Sequence, residues 1–378
     1  MERFNMTSRN IAHLRLAHQQ IIDADSSSPE ELVGWLGCVQ AQDFAQAKWA
    51  IGVRMNNITE AAIDKAFDEG RILRTHILRP TWHFVLPDDI GWMLRLTAPR
   101  IRAFLKGLHR RLDIDELILK RSRNVIVKAL AGGKQLTREQ LLQVLKKGRI
   151  NTDDIRINFL LMDVELDGVI CSGPRQGKQF TYMLMEERVP RIEYLDKEAA
   201  VAAIAHRYFM SRGPATLQDL CWWSGLSVAD AKKGIEMNKK HLTSEVANGQ
   251  AYWFSNDIAP SGRPSPTRPF PPAKPPSPTK PPSSVHLLPA FDEYTVSYKD
   301  RSDVLQQAHH KQSGNGIFKP TIIINGQVAG NWKRTVNKEG VQIELQPFTE
   351  LTPTSRRLIN KAAEKYARFV GKPLVSLI

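Results

Sequence analysis

Two glutamines separated by one residue, Gln40 and Gln42, have the side chains of this sequence best suited to act together chemically. Each amide offers a carbonyl oxygen that can orient a water molecule and an NH₂ group that can donate to a phosphate or sugar oxygen. Amides are neutral and cannot act as strong general bases, so the pair can only assist the hydrolysis of a bond that is already activated. The spacing alone is not specific, because a Gln-x-Gln at the end of a helix is common.

The acidic residue beside this pair, Asp43, is displaced by one position from Gln42. One residue turns a side chain by about 100° on a helix and to the opposite face of a strand. We therefore do not treat Asp43 as a substitute for Gln42.

The charge of the chain indicates a polyanionic partner. The 378 residues are enough for two or three domains and carry a formal net charge of +14 at pH 7, and a positive charge of this size attracts nucleic acid. Between positions 95 and 149, fifteen basic residues oppose four acidic ones, a local net charge of +11. A solvated helical face would explain such a run, but its place beside helix-turn-helix patterns favours a nucleic-acid footprint.

The cysteines and the apolar runs predict a cytoplasmic protein. Cys38, Cys171 and Cys221 are far apart and form neither a metal-binding motif nor a disulfide framework. Residues 1–13 lack the apolar segment of a secretion signal, and no apolar run approaches the length of a membrane span. We expect no cofactor, no metal, no membrane association and a monomeric chain.

A proline-rich segment at residues 259–284 divides the chain. It holds eleven of the 23 prolines, so it lacks many backbone donors and has little apolar surface to bury. We predict an extended, flexible linker; an SH3-type ligand is the alternative.

Residues 121–190 have the order of a winged helix-turn-helix. Capping and periodicity predict helices at 124–130, at 137–147 with Thr137 as its cap, and at 154–166, a helix that carries Arg156. A hairpin follows at 168–172 and 179–185, with Arg175 and Lys178 expected at the tip of the wing.

The same order recurs at residues 191–258, where Thr216 and Ser227 cap two helices and Asn248-Gly249 predicts a hairpin turn. Residues 1–120 contain a degenerate copy, with helices beginning at Ser28 and Thr59. Residues 285–378 have a different pattern, with a hairpin turn at Asn325-Gly326 and a closing helix at 354–369. The expected fold is therefore α+β and mainly helical, with tandem winged helix-turn-helix units followed by a small β-rich C-terminal unit.

Four segments carry a family resemblance. They are Leu-Gly-Cys-Val-Gln-Ala-Gln-Asp at 36–43, Arg-Pro-Thr-Trp-His-Phe-Val at 79–85, Gly-Pro-Ala-Thr with Trp-Ser-Gly-Leu within 213–226, and Leu-Leu-Pro-Ala-Phe-Asp-Glu-Tyr at 287–294 with 299–301 and 317–320. In this order they resemble the bacterial winged-helix DNA-binding family that includes the AlkZ-like DNA glycosylases. The resemblance covers essentially the whole chain outside the proline-rich segment.

The resemblance implies an enzyme that hydrolyses the N-glycosidic bond of cationic alkylated purines in double-stranded DNA. N7-alkylguanine and N3-alkyladenine already carry positive charge, so their bonds to the sugar are weakened before the enzyme acts. A positioned water and some stabilisation of an oxocarbenium-like sugar then suffice. The family motif assigns these roles to Gln40 and Gln42, and interstrand crosslinks are further expected substrates.

The resemblance also implies DNA contacts outside the glutamine pair. Residues Arg79, Thr81 and His83 alternate, which on a strand places all three on one side and Trp82 on the other. Two interpretations of His83 stay open, a position beside the lesion pocket or a core histidine bonded to backbone; Trp82, Trp222 and Trp223 could likewise stack on bases or pack in the core. The predicted nucleic-acid-binding set is Arg79, Thr81, His83, Arg156, Arg175, Lys178, Lys299, Arg301 and Lys319, although a surface ion-pair cluster would also explain residues 299–301.

The main alternative is a non-catalytic winged-helix DNA-binding protein with a transcriptional or genotoxin-resistance role. Three winged units in one chain without a dimerisation helix argue against a simple repressor. An RNA-binding protein is less favoured, because the sequence has no RNP-type or KH-type glycine-rich signature.

Overall fold

The computed structural model describes residues 8–153, 155–255 and 283–378. They form two compact units, one of Met1–Ile63 with Ala202–Ile378 and the other of Asp64–Val201. Residues 256–282, which include nearly all of the predicted linker at 259–284, lie outside the described residues, as does Asp154. The division into 1–120, 121–190, 191–258, 259–284 and 285–378 stays a prediction.

Helices contribute most of the regular structure. They are α1 (Ser8–His18), α2 (Pro29–Leu36), α3 (Phe44–Gly52), α4 (Glu60–Asp68), α5 (Pro87–Arg111), α6 (Glu116–Leu130), α7 (Arg138–Lys147), α8 (Arg156–Leu166), α9 (Met185–Arg188), α10 (Lys197–Arg212), α11 (Leu217–Ser224), α12 (Val228–Met237), α13 (Glu293–Val296) and α14 (Pro353–Val370), with 3-10 turns at Lys239–His241 and Gln307–His309.

The strands are short. They are β1 (Val39–Gln40), β2 (Leu73–Ile77), β3 (Thr81–Val85), β4 (Leu136–Thr137), β5 (Ile170–Gln176), β6 (Gln179–Leu184), β7 (Leu242–Ala247), β8 (Gln250–Ser255), β9 (Val285–Leu288), β10 (Thr321–Ile324), β11 (Gln327–Val336), β12 (Val341–Pro347) and β13 (Leu374–Leu377).

The first unit contains the helix that leads to the glutamine pair, α2. The Ser28 side chain accepts the N–H of Glu31, and Pro29 occupies the first helical position, where no backbone donor is needed. The predicted start is confirmed, but the helix ends at Leu36 because Gly37 adopts φ 74°. The chain therefore turns sharply and enters β1 two residues later.

The C-terminal part of the first unit is a five-stranded sheet in the order β13-β12-β11-β10-β9. Strands β12 and β13 are parallel and the other pairs are antiparallel. The predicted turn at Asn325-Gly326 is confirmed, with φ 51° and 81°, the left-handed values of a type I′ turn. Helix α14 begins one residue earlier and ends one later than predicted.

An aromatic core joins α3, α14 and the sheet of the first unit. The ring of Trp49 lies 4.9 Å from Tyr366 and 5.1 Å from Phe369, and Trp332 lies 5.4 Å from Tyr366. Both tryptophan N–H groups donate to backbone carbonyls of β9. This packing holds the N-terminal helices against the sheet, as buried aromatic pairs with satisfied polar atoms do.

The first unit also contains α11 and α12 followed by the β7–β8 hairpin. Thr216 and Asp219 form a reciprocal capping box at α11, and Ser227 caps α12. The hairpin turns at Asn248-Gly249 with φ 51° and 73°. The predicted helices and hairpin of this segment are confirmed.

The second unit combines the β2–β3 hairpin, α5 and a helical group, α6 to α8, with the sheet β4-β6-β5. Thr137 and Gln140 form the predicted capping box of α7. Helix α6 begins at Glu116, well before the predicted 124, because Asp115 caps it by accepting the N–H of Ile118. A core of aliphatic side chains, Ile126, Leu130, Leu141, Leu145, Ile157, Leu160 and Leu161, holds these helices together. The mixed α+β class is confirmed.

Candidate active site and nucleic-acid-binding residues

Gln40 and Gln42 lie in very different environments. Gln40 is 6% exposed, whereas Gln42 lies on the surface. The side-chain oxygen of Gln40 accepts the backbone N–H of Gln42 at 3.2 Å. This bond turns the chain so that the first amide is held inside the protein and the second is presented outward.

The backbone N–H of Gln40 donates to Glu293 Oε1 at 2.8 Å. The other carboxylate oxygen accepts from Arg212 Nη2 at 2.7 Å, from Ser297 Oγ at 2.6 Å and from Trp223 Nε1 at 3.2 Å. Both carboxylate oxygens of this fully buried residue are thus engaged, as a buried charge requires.

Arg212 binds the residues just before Gln40 in the chain. Its Nη1 donates to the carbonyl of Leu36 at 2.5 Å and its Nη2 to that of Cys38 at 3.0 Å. Its guanidinium also lies 4.4 Å from the ring of Trp223. The Arg212 side chain is completely buried and forms an ion pair with Glu293.

Asp43 has a structural role that agrees with its exclusion from the catalytic candidates. Its Oδ1 accepts the N–H of Gln46 at 3.1 Å, so it is the N-cap of α3. A carboxylate occupied in this way stabilises the first turn of the helix.

The predicted alternation at Arg79, Thr81 and His83 is wrong in one respect. Arg79 lies in the turn that joins β2 to β3, where Leu78 has φ 61°, and only Thr81 and His83 belong to β3. His83 is fully buried, with Nδ1 3.0 Å from the carbonyl oxygen of Thr81. The geometry agrees with the interpretation of His83 as a core histidine bonded to backbone. Arg79 and Thr81 are half-buried.

The three tryptophans differ in exposure. Trp223 is fully buried, and Trp82 lies between His76, at 3.9 Å, and the guanidinium of Arg74, at 4.3 Å. Trp222 is 40% exposed, although its Nε1 donates to the carbonyl of Val296. Of the three, only Trp222 presents much surface.

Arg156 lies at the start of α8 but does not face solvent. It is 8% exposed, and its guanidinium donates to the carbonyls of Asn151, Leu112 and Asp113. The prediction of a DNA contact does not fit this geometry, because all three guanidinium nitrogens are bonded to backbone carbonyls.

Arg175 is held by acidic side chains of α4. Its Nη1 lies 3.1 Å from Asp64 Oδ1, and its Nη2 lies 2.9 Å from Asp68 Oδ2. It is therefore a bridge within the second unit, whereas the sequence predicted a wing-tip contact. Lys178, three residues later, is exposed.

The remaining predicted contacts belong to the first unit. The Lys299 side chain is exposed, while its backbone N–H donates to Asp219. Half-buried Arg301 donates to the carbonyl of Thr295 and lies 5.6 Å from the ring of Trp222. Lys319 is exposed and its Nζ donates to the carbonyl of Gln312.

The basic stretch predicted from the sequence lies mostly at the surface of the second unit. Arg102 is half-buried and forms ion pairs with Asp163 and Asp167. The other fourteen are exposed: Arg95, Arg100, Lys106, Arg110, Arg111, Lys120, Arg121, Arg123, Lys128, Lys134, Arg138, Lys146, Lys147 and Arg149. A cleft of about 830 Å³ between α5, α6 and α8 is lined by several of them and by acidic residues.

Among the described residues, no three His, Cys, Asp or Glu side chains are grouped as metal ligands would be, and no helix there is both long and apolar enough to cross a bilayer.

The family model described as DNA glycosylase AlkZ-like matches residues 33–369. The chain belongs to this family of hydrolases acting on N-glycosyl bonds. Of the two functions predicted from the sequence, the enzyme is therefore confirmed over the non-catalytic DNA-binding protein.

Two individual proteins are similar over nearly the full length. The interstrand DNA cross-link repair glycosylase of Streptomyces sahachiroi is 23% identical over 384 aligned positions, which cover 96% of this chain and 95% of that protein. The solved structure of Streptomyces sahachiroi DNA glycosylase AlkZ superposes with a TM-score of 0.78 at 20% identity and covers 99% of this chain and 100% of that one. The structural likeness supports the fold.

Arg212 and Glu293 are not among the residues predicted from the sequence. A signal for Glu293 was present, because two consecutive acidic residues, Asp292 and Glu293, interrupt an otherwise apolar run. Acidic residues in such a run are buried only when they are paired.

Proposed function

We propose that this DNA glycosylase releases cationic alkylated purines, N7-alkylguanine and N3-alkyladenine, from duplex DNA, with Gln40 and Gln42 as the catalytic residues. The observation that carries the proposal is the bond between the Gln40 side-chain oxygen and the Gln42 N–H. It holds the Gln40 side chain against the backbone of Gln42, with Gln40 buried and Gln42 on the surface.

The chemistry demands little of these side chains. The departing base is already cationic, and its loss leaves positive charge on the sugar and needs a water molecule as nucleophile. An amide oxygen can orient that water and stabilise the developing charge, and an amide NH₂ can donate to a DNA oxygen. Because neither group is a strong base, undamaged purines should stay attached.

Interstrand crosslinks between alkylated purines are a further substrate class of this proposal. The similarity to a glycosylase named for cross-link repair supports it. The exposure of Gln42 supports it as well, since a bulky lesion cannot enter a tight pocket of the kind used by base-flipping enzymes.

We also propose that residues 116–184 and 197–255 are winged helix-turn-helix units that hold the duplex. Each has helices followed by an antiparallel hairpin, and the first has the extra strand β4 beside its hairpin. The DNA-binding candidates that remain after the corrections above are the predicted side chains with accessible surface, Arg79, Thr81, Lys178, Lys299, Arg301 and Lys319. Monomeric state stays a prediction.

The test is release of N7-methylguanine, and unhooking of a nitrogen-mustard crosslink, from duplex DNA under single-turnover conditions. Wild type should release the lesion, and Gln40→Ala and Gln42→Ala should each lower the rate by about 10²-fold while DNA binding is retained. Gln143→Ala, which alters an exposed glutamine of α7, is the matched control and should keep the wild-type rate. Unaltered rates in both glutamine variants would refute the assignment.

A further inference from the structure

The buried ion pair between Arg212 and Glu293 binds three backbone groups of the segment that carries the glutamine pair. These are the carbonyls of Leu36 and Cys38 and the N–H of Gln40. We propose that Glu293, held in place by Arg212, is a positioning residue that sets the orientation of the catalytic glutamines. The inference rests on the proposed catalytic role of Gln40 and Gln42.

The segment needs external support because it has little of its own. Helix α2 ends at Leu36, and β1 is only two residues long. The carbonyls at a helix C-terminus have no partner within the helix. Arg212 supplies donors there, and its charge also suits the negative end of the helix dipole.

Glu293 fixes the next point along the chain. Its Oε1 accepts the Gln40 N–H, while its Oε2 anchors it to Arg212, Ser297 and Trp223. A carboxylate anchored on one oxygen can hold a backbone N–H with the other in a fixed place. Charge-assisted bonds of this kind are shorter and stronger than neutral ones.

The position of Gln40 then determines that of Gln42, because the side chain of the first binds the backbone N–H of the second. A change at Glu293 should therefore reach both amides without touching DNA. Misplacement of catalytic groups by about 1 Å can cost on the order of 10²-fold in rate. The expected effect is on the chemical step and not on binding.

The experiment compares full-length wild type with Glu293→Gln, which keeps the side-chain shape and removes the charge. The single-turnover rate of N7-methylguanine release should fall about tenfold to 100-fold, with DNA affinity unchanged. The amide proton of Gln40, observed after selective ¹⁵N-glutamine labelling, should move upfield, because its bond to a charged acceptor is lost.

Asp303→Asn is the control for loss of a buried charge. Asp303 lies in the same unit, where its carboxylate pairs with buried Arg15 at 3.5 Å and accepts from the hydroxyl of Tyr252 at 3.0 Å. This variant should melt at a lower temperature, as Glu293→Gln should, but keep the wild-type rate per folded molecule and the wild-type Gln40 amide shift. Equal rate losses in both variants would show a general effect of destabilisation and overturn the proposal.

Ser297→Ala provides a milder variant if Glu293→Gln does not fold. It removes one bond to Glu293 Oε2 and one from Arg212 Nε but leaves both charges in place. A smaller loss of rate with the same direction of amide shift supports the proposal, and a wild-type rate with an unmoved amide refutes it. If Gln40→Ala and Gln42→Ala both keep the wild-type rate, the proposed function fails, whereas the amide shift of Gln40 still tests whether Glu293 holds that N–H.

Discussion

The Nδ1 atom of His18 lies 2.6 Å from the carbonyl oxygen of Gly213. A carbonyl oxygen can only accept, so Nδ1 carries the proton and Nε2 is a bare acceptor in the neutral ring. Nε2 is buried and has no hydrogen-bond partner among the described residues. A second proton on this ring would therefore be enclosed without an acceptor.

Acid sensitivity of the folded state follows from this arrangement. Burial lowers the pKa of His18 to about 4, outweighing the bond to Gly213, and burial also lowers the pKa of His286 to about 4. Since the folded-state pKa lies below the usual 6.5, the stability from the neutral ring is complete above pH 6.5 and is lost as the pH falls through 4. Protonation of each of these two histidines should lower the free energy of unfolding by about 3 kcal/mol as the pH falls from 6.5 to 4.

Denaturant unfolding between pH 7 and pH 4 measures this loss. In His18→Gln, whose amide can donate to the Gly213 carbonyl, the histidine's part of the pH dependence should disappear. His309→Gln alters a half-exposed ring stacked on Phe348 and should keep the wild-type slope. A wild-type slope in His18→Gln would show that another group controls acid unfolding.

Asp43 tests whether a carboxylate beside the glutamine pair takes part in catalysis. Asp43→Ala removes the N-cap of α3 and should cost about 1 kcal/mol of stability, while Asp43→Ser keeps a capping oxygen and should cost less. Both variants should release N7-methylguanine at the wild-type rate per folded molecule. A loss of rate in Asp43→Ser, with stability retained, would assign Asp43 to the chemistry.

Local features of the fold could be predicted from the sequence because their partners are close in the chain. The caps at Ser28, Thr137 and Thr216 join residues three positions apart. The left-handed turns at Asn248-Gly249 and Asn325-Gly326 depend on two residues each. The helices that begin at these caps and the two hairpins were accordingly near their predicted places, whereas α6 begins eight residues before its predicted start.

Contacts between distant residues could not be predicted in this way. Arg156 was placed among the predicted DNA contacts, on the helix predicted at 154–166, but the carbonyls that bind it belong to residues 112, 113 and 151. Glu293 is 253 positions from Gln40, and only folding brings them together. The alternation at Arg79 suggested a strand because the pattern cannot show a turn at Leu78.

Arg175 and Lys178 both lie on the β5–β6 hairpin, and substitutions at the two positions can be compared directly. Arg175 binds Asp64 and Asp68, so Arg175→Gln should lower stability by about 1 kcal/mol, as expected for a partly exposed ion pair, with little change in DNA affinity. Lys178 is exposed, and Lys178→Gln should weaken DNA binding without destabilising the fold. The opposite pattern in melting and anisotropy measurements would restore Arg175 as a DNA contact.

The exposed basic side chains of α5 and α6 should make DNA affinity depend steeply on salt. Each neutralised phosphate adds about 0.9 to the slope of log K against log salt concentration. The double variant Lys106→Gln/Lys120→Gln should therefore lower the slope by as much as about 1.8, the value expected if each lysine neutralises one phosphate. Binding of an undamaged duplex, measured by fluorescence anisotropy across a salt titration, gives the slopes of variant and wild type.

Arg156 provides the contrasting variant. Its loss removes the bonds from the guanidinium to three backbone carbonyls, so Arg156→Gln should lower the free energy of unfolding by about 1.5–3 kcal/mol, the range for hydrogen bonds to charged groups. Its salt slope should equal that of wild type, because Arg156 is 8% exposed and its guanidinium is bonded to backbone carbonyls. An unchanged slope in the double lysine variant, or a reduced slope in a stable Arg156→Gln, would place the DNA on another surface.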